Sequence, residues 1–393
     1  MSGYFRVQRG GTVSTRPRRG VLSTPHGDVE TPAFMPVATQ ASVKALAPED
    51  LRRIGCEIFI TNTYHLSLRP GVETIETLGG LHAFTSWDGP IATDSGGFQI
   101  SSLARLTRIS NEAVTFRSHI DGSPFHLSPE SAVALQERMG SDLLMCLDHP
   151  LSYGADEDAV RDATQRTHLW AERCVRAHRG PGLLYGIIQG GTSAELRVES
   201  AEFTAGLDVQ GFAIGGLSLG EPKELMWEMV DEVMALLPPD KPVHLLGVGS
   251  PDDLIEGVAR GIDTFDCALP TRVARNGGIY THEGRTYISS NRFRDLDAPL
   301  VSDCDCWTCT RFSAAYLHHL FRAKELLAHR LASIHNLHFV LSLLDQARTA
   351  ITNGTFPVFR SRFASRFHPP DGDIREAQRE RYNRSPRVRA RLE

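Results

Sequence analysis

Leu143-Leu-Met-Cys-Leu147 ending on Asp148, and Leu184-Tyr-Gly-Ile-Ile188 ending on Gln189, are short apolar runs that each stop at a polar residue. A strand with one wet face alternates apolar and polar residues, whereas an unbroken run marks a strand buried on both faces, as in parallel sheets. Outward from this pair, the same pattern recurs. Toward the N-terminus it gives Phe34-Met-Pro-Val37 before Thr39-Gln40, Ile58-Phe-Ile60 before Thr61-Asn62, and Pro90-Ile-Ala92 before Thr93-Asp94. Toward the C-terminus it gives Phe212-Ala-Ile214 before Gly215-Gly216, His244-Leu-Leu246 before Gly247, and Thr264-Phe265 before Asp266-Cys267. Segments between the runs, such as 131–138 and 224–237, space their apolar residues at the helical period. Eight strands alternating with helices predict a (β/α)8 barrel. A doubly wound open sheet is compatible with the same alternation, but the count of eight favours the barrel.

Two segments break the repeat. Asp121-Gly122 is a hairpin turn signal, so a β-hairpin insertion is expected near 110–128. After the eighth run, 277–297 is rich in Gly, Asn and strand formers and leads into Cys304-Asp-Cys306-Trp-Thr-Cys309, with His335 beyond a helix-length stretch. Three thiols in six residues are too close for a relaxed disulfide set but fit a tetrahedral metal. A Cys3His set closes the shell of one zinc ion and leaves no position for water. Cys304, Cys306, Cys309 and His335 are therefore expected to hold one structural Zn2+ per chain, and the reaction must be sought elsewhere. The expected organisation is a barrel core over 1–276, a zinc-binding subdomain over 277–335, a final barrel helix region over 336–367 and a flexible Arg-rich tail over 368–393. Final helices are expected at 313–327 and 336–353.

The composition narrows the class. The 393 residues are 41% hydrophobic and 23% charged, values of a globular protein. No apolar run approaches the roughly 20 residues needed to span a bilayer, and Met-Ser-Gly-Tyr-Phe-Arg lacks the apolar core of a signal peptide, so no membrane association and a cytoplasmic location are expected. Seven cysteines, three of them clustered, suit a reducing compartment. The net charge of −5 gives no global basic signature. Lysine occurs only at Lys44, Lys223, Lys241 and Lys324, so arginine supplies nearly all positive charge, which suits phosphate and base recognition but equally a GC-rich genome.

In barrels of this kind the chemistry sits at the C-terminal ends of the strands. Those ends carry Asn62, Asp94, Asp148, Gln189, Gly216, Gly247 and Asp266. Three carboxylates, two amides and two glycines converging on one mouth suit a planar heterocycle. Carboxylates accept from ring N–H groups, amides donate and accept, and glycines let backbone approach the ring. Two carboxylates could also divide nucleophilic and acid–base work at an anomeric carbon. Taken singly, an aspartate after a strand is more often a cap or an ion-pair partner; their placement on different strand ends is what favours chemistry. His65 and His149 read as hydrogen-bonded pocket residues and Cys267 as packing.

Asp94-Ser-Gly-Gly-Phe-Gln99, Gly215-Gly-Leu217 with Gly220-Glu221, Gly247-Val-Gly249, Asp266-Cys-Ala-Leu-Pro-Thr-Arg272 and Asn62-Thr-Tyr-His65 occur in this order with the cysteine cluster. Together they resemble the tRNA-guanine transglycosylases of bacterial type, over roughly residues 4 to 367. The resemblance implies an irregular (β/α)8 barrel with an inserted structural zinc subdomain. It implies a pentosyltransferase that exchanges guanine at the wobble position of G-U-N anticodon tRNAs for 7-aminomethyl-7-deazaguanine in queuosine biosynthesis. It assigns Asp266 as nucleophile toward ribose C1′ and Asp94 as general acid/base. Asp94, Asp148, Gln189, Gly216 and Leu217 would hold the base, with Phe98 stacking on it and Leu246 lining the pocket. Arg272 and Arg275, with Gly247, Val248 and Gly249, would meet the RNA. A homodimer is implied, with tRNA and not DNA as the nucleic-acid partner.

The chain departs from the bacterial pattern at His149-Pro150 after Asp148, at Leu219 and at Ser250. The first two positions shape the wall near the 7-substituent, so direct insertion of queuine is the alternative within the family. Outside it, a non-catalytic tRNA-binding subunit and a barrel glycoside hydrolase are the competing classes.

Overall fold

The computed structural model describes residues 3–12, 15–97, 107–118 and 120–369; Phe98 and residues 370–393 lie outside them. The chain opens with an antiparallel sheet of β1 (Phe5–Thr12), β2 (Thr15–Thr24) and β3 (Gly27–Thr31). β4 (Ala33–Ala38), β5 (Phe59–Asn62) and β6 (Ile91–Asp94) follow. A second antiparallel sheet of three strands, β7 (Thr107–Ile109), β8 (Val114–Arg117) and β9 (Pro124–Leu127), lies in the stretch where a hairpin was expected, with Gly122 of the β8–β9 turn at φ 74°. β10 (Leu143–Met145), β11 (Leu183–Ile188), β12 (Gly211–Ile214), β13 (Val243–Leu245) and β14 (Thr264–Cys267) complete the run. The eight strands β4, β5, β6 and β10 to β14 are parallel and close into a barrel, β14 pairing back onto β4. This is the (β/α)8 fold read from the eight apolar runs.

The runs are apolar throughout because each strand feeds two cores. Met35, Ile60, Ala92, Leu143, Met145, Tyr185, Ile187 and Ala213 point into the barrel. Their neighbours Phe34, Phe59, Ile91, Ile188, Phe212 and Ile214 pack outward in the larger core shared with the helices. Side chains alternate faces along a strand, so both positions must be apolar when both faces are dry.

The N-terminal sheet, not foreseen from the sequence, belongs to the interior core: Phe5, Leu22 and Val29 pack with the inward-facing residues. Arg18 of β2 reaches Asp263, just before β14, through two hydrogen bonds of 2.9 and 2.5 Å, and both side chains are buried. This pair clasps the sheet to the end of the barrel opposite the mouth.

Beyond the barrel, β15 (Gly278–Thr281) and β16 (Gly284–Tyr287) form a hairpin that leads to the cysteines. The final helices differ from the expected spans. A helix over Ala314–Ala323 ends at Lys324, which adopts a left-handed φ of 61°. One helix then runs over Leu326–Thr352, and another over Phe356–Arg366. With neither Gly nor Pro between 326 and 352, nothing interrupts the long helix. His335 sits mid-helix, and the boundary expected between 335 and 336 falls inside this element. His368, the first residue of the expected tail, pairs with Gly284 and donates its N–H to Glu283 O at 3.0 Å; the tail from 370 onward lies outside the described residues.

Candidate active site

Asp266 is positioned by a histidine that sequence reasoning did not single out. His244, on β13, is fully buried; its Nδ1 lies 2.9 Å from Thr264 Oγ1 and its Nε2 3.1 Å from Asp266 Oδ1. The Gly247 N–H donates to the same oxygen at 2.9 Å. Among the described residues both contacts fall on Oδ1, so Oδ2 is left for a reacting partner. A polar residue in an otherwise apolar strand, one position before its end, was the available signal.

Asp94 ends β6 beside the same mouth. Its Oδ2 accepts from Asn62 Nδ2 at 2.5 Å, and its Oδ1 from the N–H groups of Thr63 and Gly96, both at 3.2 Å. Those donors favour the ionised form. Burial outweighs them and, with the charge of Asp266 adding to it, lifts the carboxyl to about 7. A group poised there holds or releases a proton near neutrality.

Asp148 and Gln189 form a third group. Gln189 Nε2 donates to Asp148 Oδ2 at 2.7 Å, while Ser95 Oγ reaches Oδ1 at 3.4 Å. Burial pushes Asp148 up to about 6. Both side chains depend on absent Cβ atoms. A Cβ on Gly216 would lie 2.1 Å from Gln189 Oε1, and Gly216 has φ +69°. A Cβ on Gly97 would lie 2.3 Å from Asp148 Oδ1. Beneath them Arg197, fully buried, donates to the carbonyls of Gly191, Ile188 and Gly215 at 2.8, 3.1 and 2.8 Å, tying the loops after β11 and β12 together.

The family model described as queuine tRNA-ribosyltransferase matches residues 14–369. A queuine tRNA-ribosyltransferase of Dehalococcoides mccartyi (strain ATCC BAA-2100) is 50% identical over 366 residues, 93% of each chain. That of Herpetosiphon aurantiacus is 50% identical over 92% of this chain and 93% of its own, and that of Pelotomaculum thermopropionicum 51% over 90% and 96%. The chain belongs to the queuine tRNA-ribosyltransferase family.

The remaining residues singled out from the queuine tRNA-ribosyltransferase motifs lie as follows. Leu217 is buried and Leu246 packs at the edge of the interior core. Glu221 accepts from the N–H groups of Ser218 and Leu219, pinning the turn after Leu217. Gly247 is exposed at φ +75°, while Val248 is buried. A Cβ on Gly249 would lie 2.4 Å from Cys267 Cβ. Arg272 is exposed and Arg275 half-buried, on the helix Leu269–Arg275 that follows Asp266. His65 donates its N–H to Asn62 Oδ1 at 3.0 Å. His149 Nδ1 lies 3.0 Å from Arg166 Nη1, and burial lowers the ring to about 4. The Cys267 thiol is pushed up to about 12 by burial.

Away from the mouth, the Sγ atoms of Cys304, Cys306 and Cys309 lie 3.7, 3.6 and 3.3 Å from His335 Nδ1. A tetrahedral ion with Zn–S of about 2.3 Å and Zn–N of about 2.0–2.1 Å sets an S···N spacing of about 3.5 Å. The four residues can therefore hold a metal ion, and their donor set is compatible with zinc. Nε2 of His335 is 2.8 Å from Tyr280 O, which fixes the tautomer that presents Nδ1. The next residue, Asn336, accepts from Tyr280 N and donates to Pro270 O and Gly278 O, linking this helix to the segment after Asp266.

Proposed function

We propose that the chain is a pentosyltransferase that exchanges guanine at the wobble position of G-U-N anticodon tRNAs for 7-aminomethyl-7-deazaguanine. The observation that carries this reading is the pair of carboxyls at the mouth. Asp266 has one restrained oxygen and one available, and Asp94 is poised near 7 within reach of its charge. Such a division of environments separates a nucleophile from an acid/base.

In the first half-reaction Asp266 Oδ2 attacks ribose C1′ and the C1′–N bond to guanine breaks. The electron pair goes to the departing base, which takes a proton from Asp94. In the second, Asp94 takes the proton of the incoming base, whose nitrogen attacks C1′ and releases the Asp266 carboxylate. The aspartyl–ribose ester conserves the glycosidic linkage, so the exchange needs no external energy source. Asp148, Gln189, Gly216 and Leu217 hold the edge of the base, Leu246 lines its pocket, and Phe98 stacks on its face. The wobble nucleotide must leave its stack, at a cost of roughly a few kcal/mol, less in a loop than in a duplex. Arg272 and Arg275, with Gly247, Val248 and Gly249, meet the anticodon loop.

The Cys3His group binds a structural zinc ion that stabilises the module without taking part in the reaction. The protein acts as a cytoplasmic homodimer on tRNA and not on DNA. No helix among the described residues is long and apolar enough to cross a membrane.

Labelled guanine should enter a G-U-N tRNA transcript, and a covalent protein–RNA band should survive denaturing electrophoresis. Exchange persisting in Asp266→Ala would remove the nucleophile assignment. Offering guanine, 7-aminomethyl-7-deazaguanine and queuine to the same tRNA identifies the inserted base, and preference for queuine would replace that part of the reading.

A further inference from the structure

A guanidinium stands behind the mouth without a carboxylate to pair with. Arg197 lies in the first turn of the helix Ala194–Ala205 and is fully buried. No Asp or Glu forms an ion pair with it among the described residues, and burial lowers it to about 9, so it stays charged at neutral pH. Both the burial and the place are unfavourable. An unpaired charge loses its hydration, and the N-terminal end of a helix already carries partial positive charge. An apolar side chain would fill the space without either cost.

What the charge meets is backbone. Nε donates to Gly191 O at 2.8 Å, and Nη1 forks between Ile188 O at 3.1 Å and Gly215 O at 2.8 Å. The peptides that follow Ile188 and Gly215 are both trans, so the N–H of each points away from its carbonyl and from Arg197. After Ile188 the opposed N–H is that of Gln189, and Ser200 Oγ accepts it at 3.1 Å. After Gly215 it is that of Gly216, half-buried past the end of β12, and no acceptor takes it among the described residues. Gly215 cannot swing to hide it, because its own N–H donates to Ile188 O at 3.0 Å while Arg197 holds its carbonyl. Nη2 lies 3.5 Å from where a Cβ on Gly216 would stand, so the guanidinium sits directly against this peptide.

We propose that Arg197 is a positioning residue: by holding the carbonyl of Gly215 it turns the Gly216 N–H toward the base as a fixed donor. The inference rests on the reading of the mouth as a guanine site. On guanine a carbonyl oxygen stands next to the ring N–H that suits the Asp148 carboxylate. An N–H donor beside that carboxylate therefore matches the next atom along the same edge.

A double-mutant cycle between residue 197 and that oxygen tests the role. Competition against labelled-guanine exchange gives inhibition constants for guanine and for 6-thioguanine, which keeps the ring N–H and replaces the oxygen with sulfur, a weaker acceptor. Wild type should favour guanine. Arg197→Met should weaken guanine by about tenfold and 6-thioguanine much less, closing the ratio. Arg197→Lys, whose ammonium lacks the fork that spans the carbonyls, should fall between the two. The ratio is read on the active fraction, so it does not depend on how much of a variant folds. Equal losses for both bases would reduce Arg197 to a structural role and overturn the inference. Unchanged constants would overturn it too, as would a wild type that does not distinguish the bases. Absence of guanine exchange in wild type would instead remove the reading of the mouth. Should Arg197→Met fail to fold, Arg197→Lys decides alone.

Discussion

His244 Nε2 stands 3.1 Å from Asp266 Oδ1, inside a strand whose other residues are apolar. The ring is wedged between the Thr264 hydroxyl and the carboxylate, so it fixes the direction in which Asp266 presents its second oxygen. A hydrogen bond to a charged group contributes about 1.5–3 kcal/mol. At 1.36 kcal/mol per factor of ten, His244→Ala should lower kcat/KM for guanine exchange by about ten- to a hundredfold. The covalent tRNA adduct should accumulate more slowly, and His244→Gln should recover part of the rate. Unchanged adduct kinetics in a folded His244→Ala protein would remove the positioning role.

Asn62 donates to Asp94 and so favours its ionised form. Removing that donor in Asn62→Ala should raise Asp94 above its value of about 7, by on the order of one pH unit. Because the protonated acid expels guanine, the alkaline limb of the exchange profile should move to higher pH. A limb that stays in place or moves down would contradict Asp94 as the acid.

Asp94 and Asp148 are lifted from 3.8 to about 7 and about 6, so folding takes up protons at both. The stability contributed by their neutral forms is fully present below about pH 4 and is lost as the pH rises through 6 and 7. Asp148→Asn keeps an oxygen for Gln189 and removes one titration. Relative to wild type it should gain roughly 2–3 kcal/mol between pH 4 and pH 8 in denaturant melts. A pH-independent difference would show that Asp148 is not held up by burial.

Much of the barrel was legible because its strands are dry on both faces. Phe34 and Met35 face different cores yet must both be apolar, so the run is visible without any partner in view. The strand ends were legible for the same reason: Asp94, Asp148 and Asp266 stand where apolar runs stop. The N-terminal sheet was not. Its strands are partly exposed and mixed in character, and what they cover shows only in long-range contacts: Arg18 with Asp263, 245 residues apart, and Phe5, Leu22 and Val29 with the interior core. His244 was read as strand, because nothing local says that its ring meets Asp266 across the β13–β14 pair. The break between the last helices depends on the left-handed turn at Lys324, a position where sequence gives no glycine to mark it.

Gly216 leaves room for Gln189, and an alanine Cβ there would fall 2.1 Å from Oε1 in a backbone conformation with φ +69°. A non-glycine residue in that region costs about 1–3 kcal/mol before any clash. Gly216→Ala should therefore displace the Gln189 amide from Asp148 and raise KM for the free base by tenfold or more. Wild-type KM in this variant would place base recognition elsewhere.

The long helix Leu326–Thr352 serves two sites at once, and this decides what metal removal should do. His335 faces the thiols, and Asn336, the next residue, holds the carbonyls of Pro270 and Gly278 and the N–H of Tyr280. Pro270 lies four residues after Asp266, on the helix that carries Arg272 and Arg275. Cys306→Ala should loosen the module from residue 278 onward, seen as earlier proteolytic cutting and a lower melting temperature. Asp266 and His244 rest on barrel strands and should keep their geometry. The defect should therefore appear as weaker tRNA binding, with the rate of adduct formation at saturating tRNA falling much less. A variant with wild-type tRNA affinity and a lost adduct would mean that the metal supports the nucleophile directly.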